Sequence, residues 1–134
     1  MDALRAMIVD DNATDRAYLR QMLKYLTAGK VEVDEADSAA LASELFKPGR
    51  YDIVVADYHL TGEATGVDVL SQVKASDPGC HRVLITGDTG ARFLRDGTAE
   101  NIVESVVLKP SGPAVLREAL TPLLTNGRGR FIAQ

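Results

Sequence analysis

Four short apolar runs and one alternating run divide the chain. Leu4 to Val9 predicts a first strand, because Ala6-Met7-Ile8-Val9 is continuously apolar and stops at Asp10-Asp11. Val31-Glu32-Val33-Asp34-Glu35-Ala36 alternates with period two, the pattern of an edge strand with one face in solvent. Ile53-Val54-Val55-Ala56-Asp57 is too short for a helix and is bulky or β-branched at three positions. It predicts a strand buried on both faces with a carboxylate at its exit. Arg82 to Thr86 gives a fourth strand ending on a hydroxyl, and the later half of Ile102 to Leu108 gives a fifth, leading into Lys109-Pro110.

Between these runs the apolar spacing changes to three and four. Asn12 or Thr14 can cap a helix to about Leu26, with Ala17, Leu19, Met22, Leu23 and Leu26 inward, Asp15 in its first turn and Lys24 in its last. Gly29 ends it. Ser38 caps a second helix carrying Ala39, Ala40, Leu41, Leu45 and Phe46, closed by Lys47-Pro48-Gly49. Gly66 opens a third through about Ser76, with Val67, Leu70 and Val73 on one face, and Asp77-Pro78-Gly79 breaks it. Gly90 and Gly97 bracket a short, weak fourth helix around Ala91, Phe93 and Leu94. Ser111 caps a final helix with Pro113 in its first turn and Val115, Leu116, Ala119, Leu120, Leu123 and Leu124 for burial, closed by Asn126-Gly127. Five strands alternating with five helices imply a three-layer α/β fold around a mostly parallel sheet. Strand order is not readable from the pattern.

Composition narrows the class. The 134 residues fit one domain, and 46% hydrophobic with 5% aromatic residues means an aliphatic core. The one cysteine, Cys80, cannot form an internal bridge, and no leader-like segment opens the chain, so the expectation is a cytoplasmic protein. No apolar run reaches the roughly 20 residues of a membrane span. A net charge of -4 without a Lys/Arg stripe argues against nucleic acid as a direct partner. Cys80 and His81 lack neighbours at metal-ligand spacing and are expected to be structural. Residues 126–134 are read as a C-terminal tail whose Phe131 and Ile132 could dock on the domain or on a second copy, as a possible homodimer.

Four strand ends carry chemistry: Asp10 and Asp11, Asp57, Thr86 and Lys109. If they share one rim, three carboxylates converge, and their repulsion in a partly desolvated pocket calls for a hard divalent cation. Magnesium, which favours one or two carboxylates, waters and a phosphate oxygen, leaves one Asp free to act on phosphorus. Lysine and a hydroxyl can then hold the other phosphoryl oxygens.

Asp10-Asp11, Asp57 closing an apolar strand, Thr86-Gly87 and Lys109-Pro110, in that order and spacing, resemble the receiver domain of bacterial response regulators across Leu4 to about Leu124. The resemblance implies a flavodoxin-like, doubly wound five-stranded parallel sheet of order 2-1-3-4-5, with residues 1–125 as the receiver and no effector domain after it. It implies that Asp57 is the phosphoacceptor, taking a phosphoryl group from a sensor histidine kinase or a histidine phosphotransfer protein. Asp11 and Asp57 would ligate Mg2+ with the backbone carbonyl of His59, and Asp10 would act mainly through bound water. Thr86 would hydrogen-bond the phosphoryl group and Lys109 would pair with it. A cis bond is implied between Lys109 and Pro110. The implied activity is signalling, limited to self-catalysed phosphotransfer and slow autodephosphorylation. The output face would be the fourth helix, fifth strand and fifth helix.

The chain also departs from the family pattern. Val106 stands where an aromatic is frequent, Thr61 replaces a usual proline, the loop to Gly66 is about one residue longer, and Ser111 replaces a frequent Phe. Coupling from Thr86 is therefore expected to run through backbone and helix movement around Gly87 to Gly97. His59 and Asp88, two residues past Asp57 and Thr86, are candidates for tuning phosphoryl lifetime. The leading reading is a stand-alone receiver. Alternatives are a receiver excised from a hybrid histidine kinase, to which the Thr86-Gly87-Asp88-Thr89 loop is similar, and a receiver-like scaffold that is never phosphorylated. A phosphohydrolase with an Asp nucleophile ranks last, because His59 occupies the second position of the usual Asp-x-Asp.

Overall fold

The computed structural model describes residues 3–87, 101–109 and 112–126. Within them lie β1 (Leu4–Val9), α1 (Ala13–Leu26), β2 (Val31–Ala36), α2 (Ala39–Leu45), β3 (Ile53–Asp57), α3 (Gly66–Ser76), β4 (His81–Thr86), β5 (Ser105–Leu108) and α4 (Pro113–Asn126). The five strands form one sheet, every neighbour parallel, in the order β2-β1-β3-β4-β5. The order reverses between β1 and β3, the switch point where open α/β sheets gather their chemistry.

Two apolar layers sandwich the sheet. Alternation along β1 and β3 sends Met7, Val9, Val54 and Ala56 to the side covered by α2 and α3, and Ala6, Ile8, Ile53 and Val55 to the side covered by α1 and α4. Leu70 fills the first layer and Leu23 and Leu120 the second, all fully buried. Each such side chain contributes about 1.5–3 kcal/mol by leaving water.

Local chemistry sets the helix ends. The Asn12 side chain accepts from the Asp15 amide, and that of Ser38 from the Leu41 amide. Thr65 and Asp68 form a reciprocal capping box at α3, a Thr-x-x-Asp signal in the sequence that the hydrophobic pattern alone does not reveal. At the end of α1 the chain turns left-handed at Ala28 (φ 54°) and Gly29 (φ 82°), and the Gly29 amide donates to the Lys24 carbonyl.

Several expectations are corrected. β4 begins one residue earlier, at His81, whereas β5 occupies Ser105–Leu108, the later half of the run from Ile102, as expected. Ala17, Ala40 and Val115 are exposed, whereas Ala42 and Val69 are buried. At about 100° per residue, Ala17 lies nearly opposite Leu19 on α1, and Ala40 nearly opposite Ala42 on α2. Val115 is a quarter turn from the Leu116, Leu120 and Leu124 stripe that α4 buries. The expected helix around Ala91, Phe93 and Leu94, together with Gly90, Gly97, Asp88, Pro110, Ser111, Phe131 and Ile132, lies outside the described residues.

Polar clamps lock the edge strand. Arg16 Nε and Arg20 Nε donate to the two oxygens of Glu35, at 2.9 and 2.6 Å. Burial alone would raise the Glu35 pKa, but the two guanidinium groups outweigh it and hold the carboxyl below its usual range. Tyr51, beneath β2, donates its hydroxyl to Asp34 at 2.7 Å; burial and this bond to a carboxylate push its pKa up to about 12.

Candidate functional site

The register Val9↔Ala56 sets the ends of β1 and β3 side by side, so the residues that follow, Asp10 and Asp57, face one another across the switch point. Carboxylate oxygens of Asp10, Asp11 and Asp57 all lie within 4.8 Å of one another. Asp10 and Asp57 are buried, and Asp11 is exposed at the rim.

Lys109, one residue past β5, reaches back over this group. Its Nζ lies 3.2 Å from Asp57 Oδ2, 3.1 Å from Asp10 Oδ2 and 2.8 Å from Asp15 Oδ2. Partial burial of the ammonium opposes its charge, yet the bond to Asp15 and the charges of Asp10 and Asp57 raise the Lys109 pKa well above the ordinary value. Asp10 moves the other way from a typical ion-paired carboxylate. Desolvation by burial dominates and raises its pKa, against the Asn12 amide and Lys109, while the Asp57 charge adds to the rise. Negative charge is thus in surplus.

The main chain under these groups is firmly held. Asp10 Oδ1 accepts the Asn12 amide at 2.9 Å, and Arg16 Nη1 donates to the Asp10 carbonyl at 2.7 Å. The Tyr58 amide donates to the Ile85 carbonyl, tying the exit of β3 to β4, and the Lys109 amide donates to the Thr86 carbonyl at 2.7 Å. Thr86 is fully buried at the end of β4, on the same rim. The structure therefore brings Asp10, Asp11, Asp57, Thr86 and Lys109 to one end of the sheet. His59 is exposed two residues past Asp57, its ring edge-on to Tyr58 at 4.8 Å between centroids.

Three contributors are absent from the sequence reading. Asp15, by sequence only a favourable first-turn charge, makes the shortest contact with the Lys109 ammonium among the described residues. Thr61 donates its hydroxyl to Asp11 Oδ2 at 2.9 Å, joining the β3–α3 loop to the acidic rim. Gly66, by sequence a helix opener, is a close-approach position. A Cβ there would stand 2.2 Å from the Asp57 carbonyl oxygen and 3.1 Å from Leu84 Cδ1, so only glycine lets α3 begin against the main chain of Asp57. Its signal in sequence was a lone glycine nine residues beyond the carboxylate; its cause is tertiary.

The donor set suits a hard divalent cation: two buried carboxylates and one at the rim, all oxygen, open to solvent on the Asp11 side.

Residues 6–121 match the sequence profile of the response regulator receiver domain. The chain belongs to that family. This receiver is 29% identical to the chemotaxis protein CheY of Pseudomonas aeruginosa over 127 residues, covering 94% of the chain and all of that protein. It is 33% identical to the alginate biosynthesis transcriptional regulatory protein AlgB of Pseudomonas syringae, covering 86% of the chain but 25% of AlgB. Among solved structures it resembles the response regulator TrrA of Thermotoga maritima in complex with Mg2+-BeF, with a TM-score of 0.76, 24% identity and coverage of 90% of this chain and 99% of that one. The flavodoxin-like order and the switch-point pocket are those of this fold. Receivers of two-component systems bind Mg2+ at an acidic pocket and interact with histidine kinases or phosphotransfer proteins and with downstream targets. They are signalling phosphoacceptors, not classical enzymes. Among the described residues no helix is long and apolar enough to cross a membrane.

Proposed function

We propose that this receiver accepts a phosphoryl group on Asp57 and acts as a stand-alone cytoplasmic response regulator. The observation that carries the reading is the convergence of Asp10, Asp11 and Asp57 under the Lys109 ammonium. An Asp57 oxygen attacks the phosphorus of a phosphohistidine, the O–P bond forms as the P–N bond breaks, and the electron pair leaves with the imidazole nitrogen. Asp10, Asp11 and Asp57, with the His59 carbonyl, would hold Mg2+, which supplies positive charge against the crowded oxygens of carboxylates and phosphoryl group.

The protein's own groups do the rest. The ammonium of Lys109 lies 3.2 Å from the reacting carboxylate and pairs with a phosphoryl oxygen once that oxygen arrives. Thr86, at the neighbouring strand end, supplies a hydroxyl to another. Movement of Thr86 toward the new charge shifts the population of the rim from β4 to β5. The exposed apolar residues Val106 and Leu108 on β5 and Val115 on α4 offer a surface on which a downstream protein can read that shift. His59, exposed beside the pocket, tunes how readily water reaches the acyl phosphate.

Incubation with acetyl phosphate and Mg2+, followed by intact mass, tests the reading. A gain of one phosphoryl group that is lost in Asp57→Asn supports it. No gain in the parent protein leaves the scaffold reading in its place.

A further inference from the structure

Lys109 has three ammonium hydrogens and, among the described residues, three carboxylate neighbours, and these are not equivalent. Asp10 and Asp57 belong to the acidic cluster at the switch point, whereas Asp15 stands apart from it, in the first turn of α1 and on the helix side of the lysine. Contact with Asp15 is nevertheless the shortest of the three, 2.8 Å against 3.1 and 3.2 Å. Resting on the phosphoacceptor reading above, we infer that Asp15 is a positioning residue that tethers Lys109 over Asp57 when the metal and the phosphoryl group claim the other two carboxylates.

Charge and geometry carry the inference. A divalent cation drawn to Asp10, Asp11 and Asp57 repels the ammonium and takes oxygen density that the ammonium was using. Forming the O–P bond at Asp57 removes that carboxylate as an ionic partner. Two of three bonds are therefore weakened by the very events that require Lys109 to be present. A lysine side chain released from all three would recover its rotamer freedom and spend much of its time in solvent, since it is already partly exposed. Asp15 prevents this. It lies outside the carboxylate cluster, it is not the group that is phosphorylated, and α1 fixes its place through the Asn12 cap, whose side chain accepts the Asp15 amide at 3.0 Å. The lysine then needs only to pivot about one retained bond to meet a phosphoryl oxygen, and less conformational freedom is lost when it does.

The opposite sign is conceivable on the same contacts: Asp15 could compete with the phosphoryl group for the lysine. The two differ in what happens when Asp15 is neutralised. Beryllofluoride, a phosphoryl mimic, is titrated into the parent protein, Asp15→Asn, Lys109→Ala and the double variant by isothermal calorimetry, with Mg2+ saturating for each. A tether predicts that Asp15→Asn weakens beryllofluoride binding by roughly threefold to tenfold, the scale of one partly exposed charge-assisted contact. It predicts that the same substitution changes affinity by less than about twofold when Lys109 is already alanine. Asp15→Glu, which keeps the charge, restores most of the loss. Unchanged or tighter binding by Asp15→Asn overturns the tether, as does an equal loss in both backgrounds, which is the signature of a merely structural role at the helix start. Failure of the parent protein to bind beryllofluoride overturns the phosphoacceptor reading and the tether with it.

Discussion

β3 carries an aspartate at each end, and the two are treated in opposite ways. Asp52, just before the strand, and Asp57, at its exit, are both buried. The Asp52 carboxylate accepts the Arg5 amide at 2.9 Å, its own amide donates to the Arg5 carbonyl, and its carbonyl accepts the His81 amide. It is built into the main chain of three strands. The Asp57 carboxylate meets a lysine ammonium and two further carboxylates. Arg82 and Glu104, also at the amino end of the sheet, are likewise bound to main chain. Arg82 donates to the carbonyls of Ile102, Pro78 and Cys80, and Glu104 takes the Arg82 amide together with His81. Buried charge is therefore no mark of function by itself. What distinguishes the carboxyl end is charge left in surplus, with one lysine ammonium shared among several carboxylates.

The largest test of that contrast is Gly66→Ala. The Cβ would collide with the backbone of Asp57, which cannot yield as a flexible side chain would. Urea unfolding is expected to show a loss of about 2–4 kcal/mol, and Mg2+ affinity is expected to fall in the folded protein because the main chain displaced carries the Asp57 carboxylate. A loss under about 1 kcal/mol with normal Mg2+ binding would mean that α3 does not hold Asp57 in place.

Asp52→Ala comes next and should act on stability alone. Leaving the Arg5 amide without its carboxylate is expected to cost about 1–3 kcal/mol in urea unfolding, while phosphoryl uptake from acetyl phosphate at 25 °C is retained. If uptake falls along with stability, the two ends of β3 are not independent.

The smallest effect, and the one of opposite sign, is expected at Asp10. A carboxylate whose folded pKa is raised above its unfolded value costs stability in its ionised form, so the penalty is absent at pH below the unfolded value near 3.8 and is fully present above the raised folded value. Asp10→Asn removes the charge and leaves an oxygen to accept the Asn12 amide. It is expected to stabilise the fold at pH 7 by on the order of 1 kcal/mol while weakening Mg2+ binding, and to lose this advantage as pH falls. Glu104, at the amino end, titrates in the reverse sense. Burial would raise its pKa, but the His81 bond and charge and the Arg82 amide prevail and lower it, so its contribution is present above about 4.5 and is lost on acidification below that. Urea unfolding of Asp10→Asn and the parent protein between pH 4 and pH 7 measures the difference.

Much of this was legible in the residues. An apolar run that stops on a carboxylate is a strand ending at solvent, and Leu4–Val9 and Ile53–Asp57 form as that pattern predicts, with Asn12 and Ser38 capping the helices beside them. The candidates Asp10, Asp11, Asp57, Thr86 and Lys109 all lie on one rim. Ala17, Ala40 and Val115 were misread because small or branched apolar residues occur on both faces of a helix, and only the facing strand decides which face is covered.

By itself the sequence determined the elements, their parallel alternation and the chemistry waiting at each strand end, since all of these follow from local periodicity and residue type. Tertiary structure decided which ends meet. Pairing of β1 with β3 through Val9↔Ala56 sets Asp10 against Asp57, and the same packing brings Asp15 within 2.8 Å of a lysine 94 positions away and α3 onto the main chain of Asp57 at Gly66. No periodicity encodes those contacts, because they depend on the order in which strands assemble, and that order is set by burial across the whole sheet.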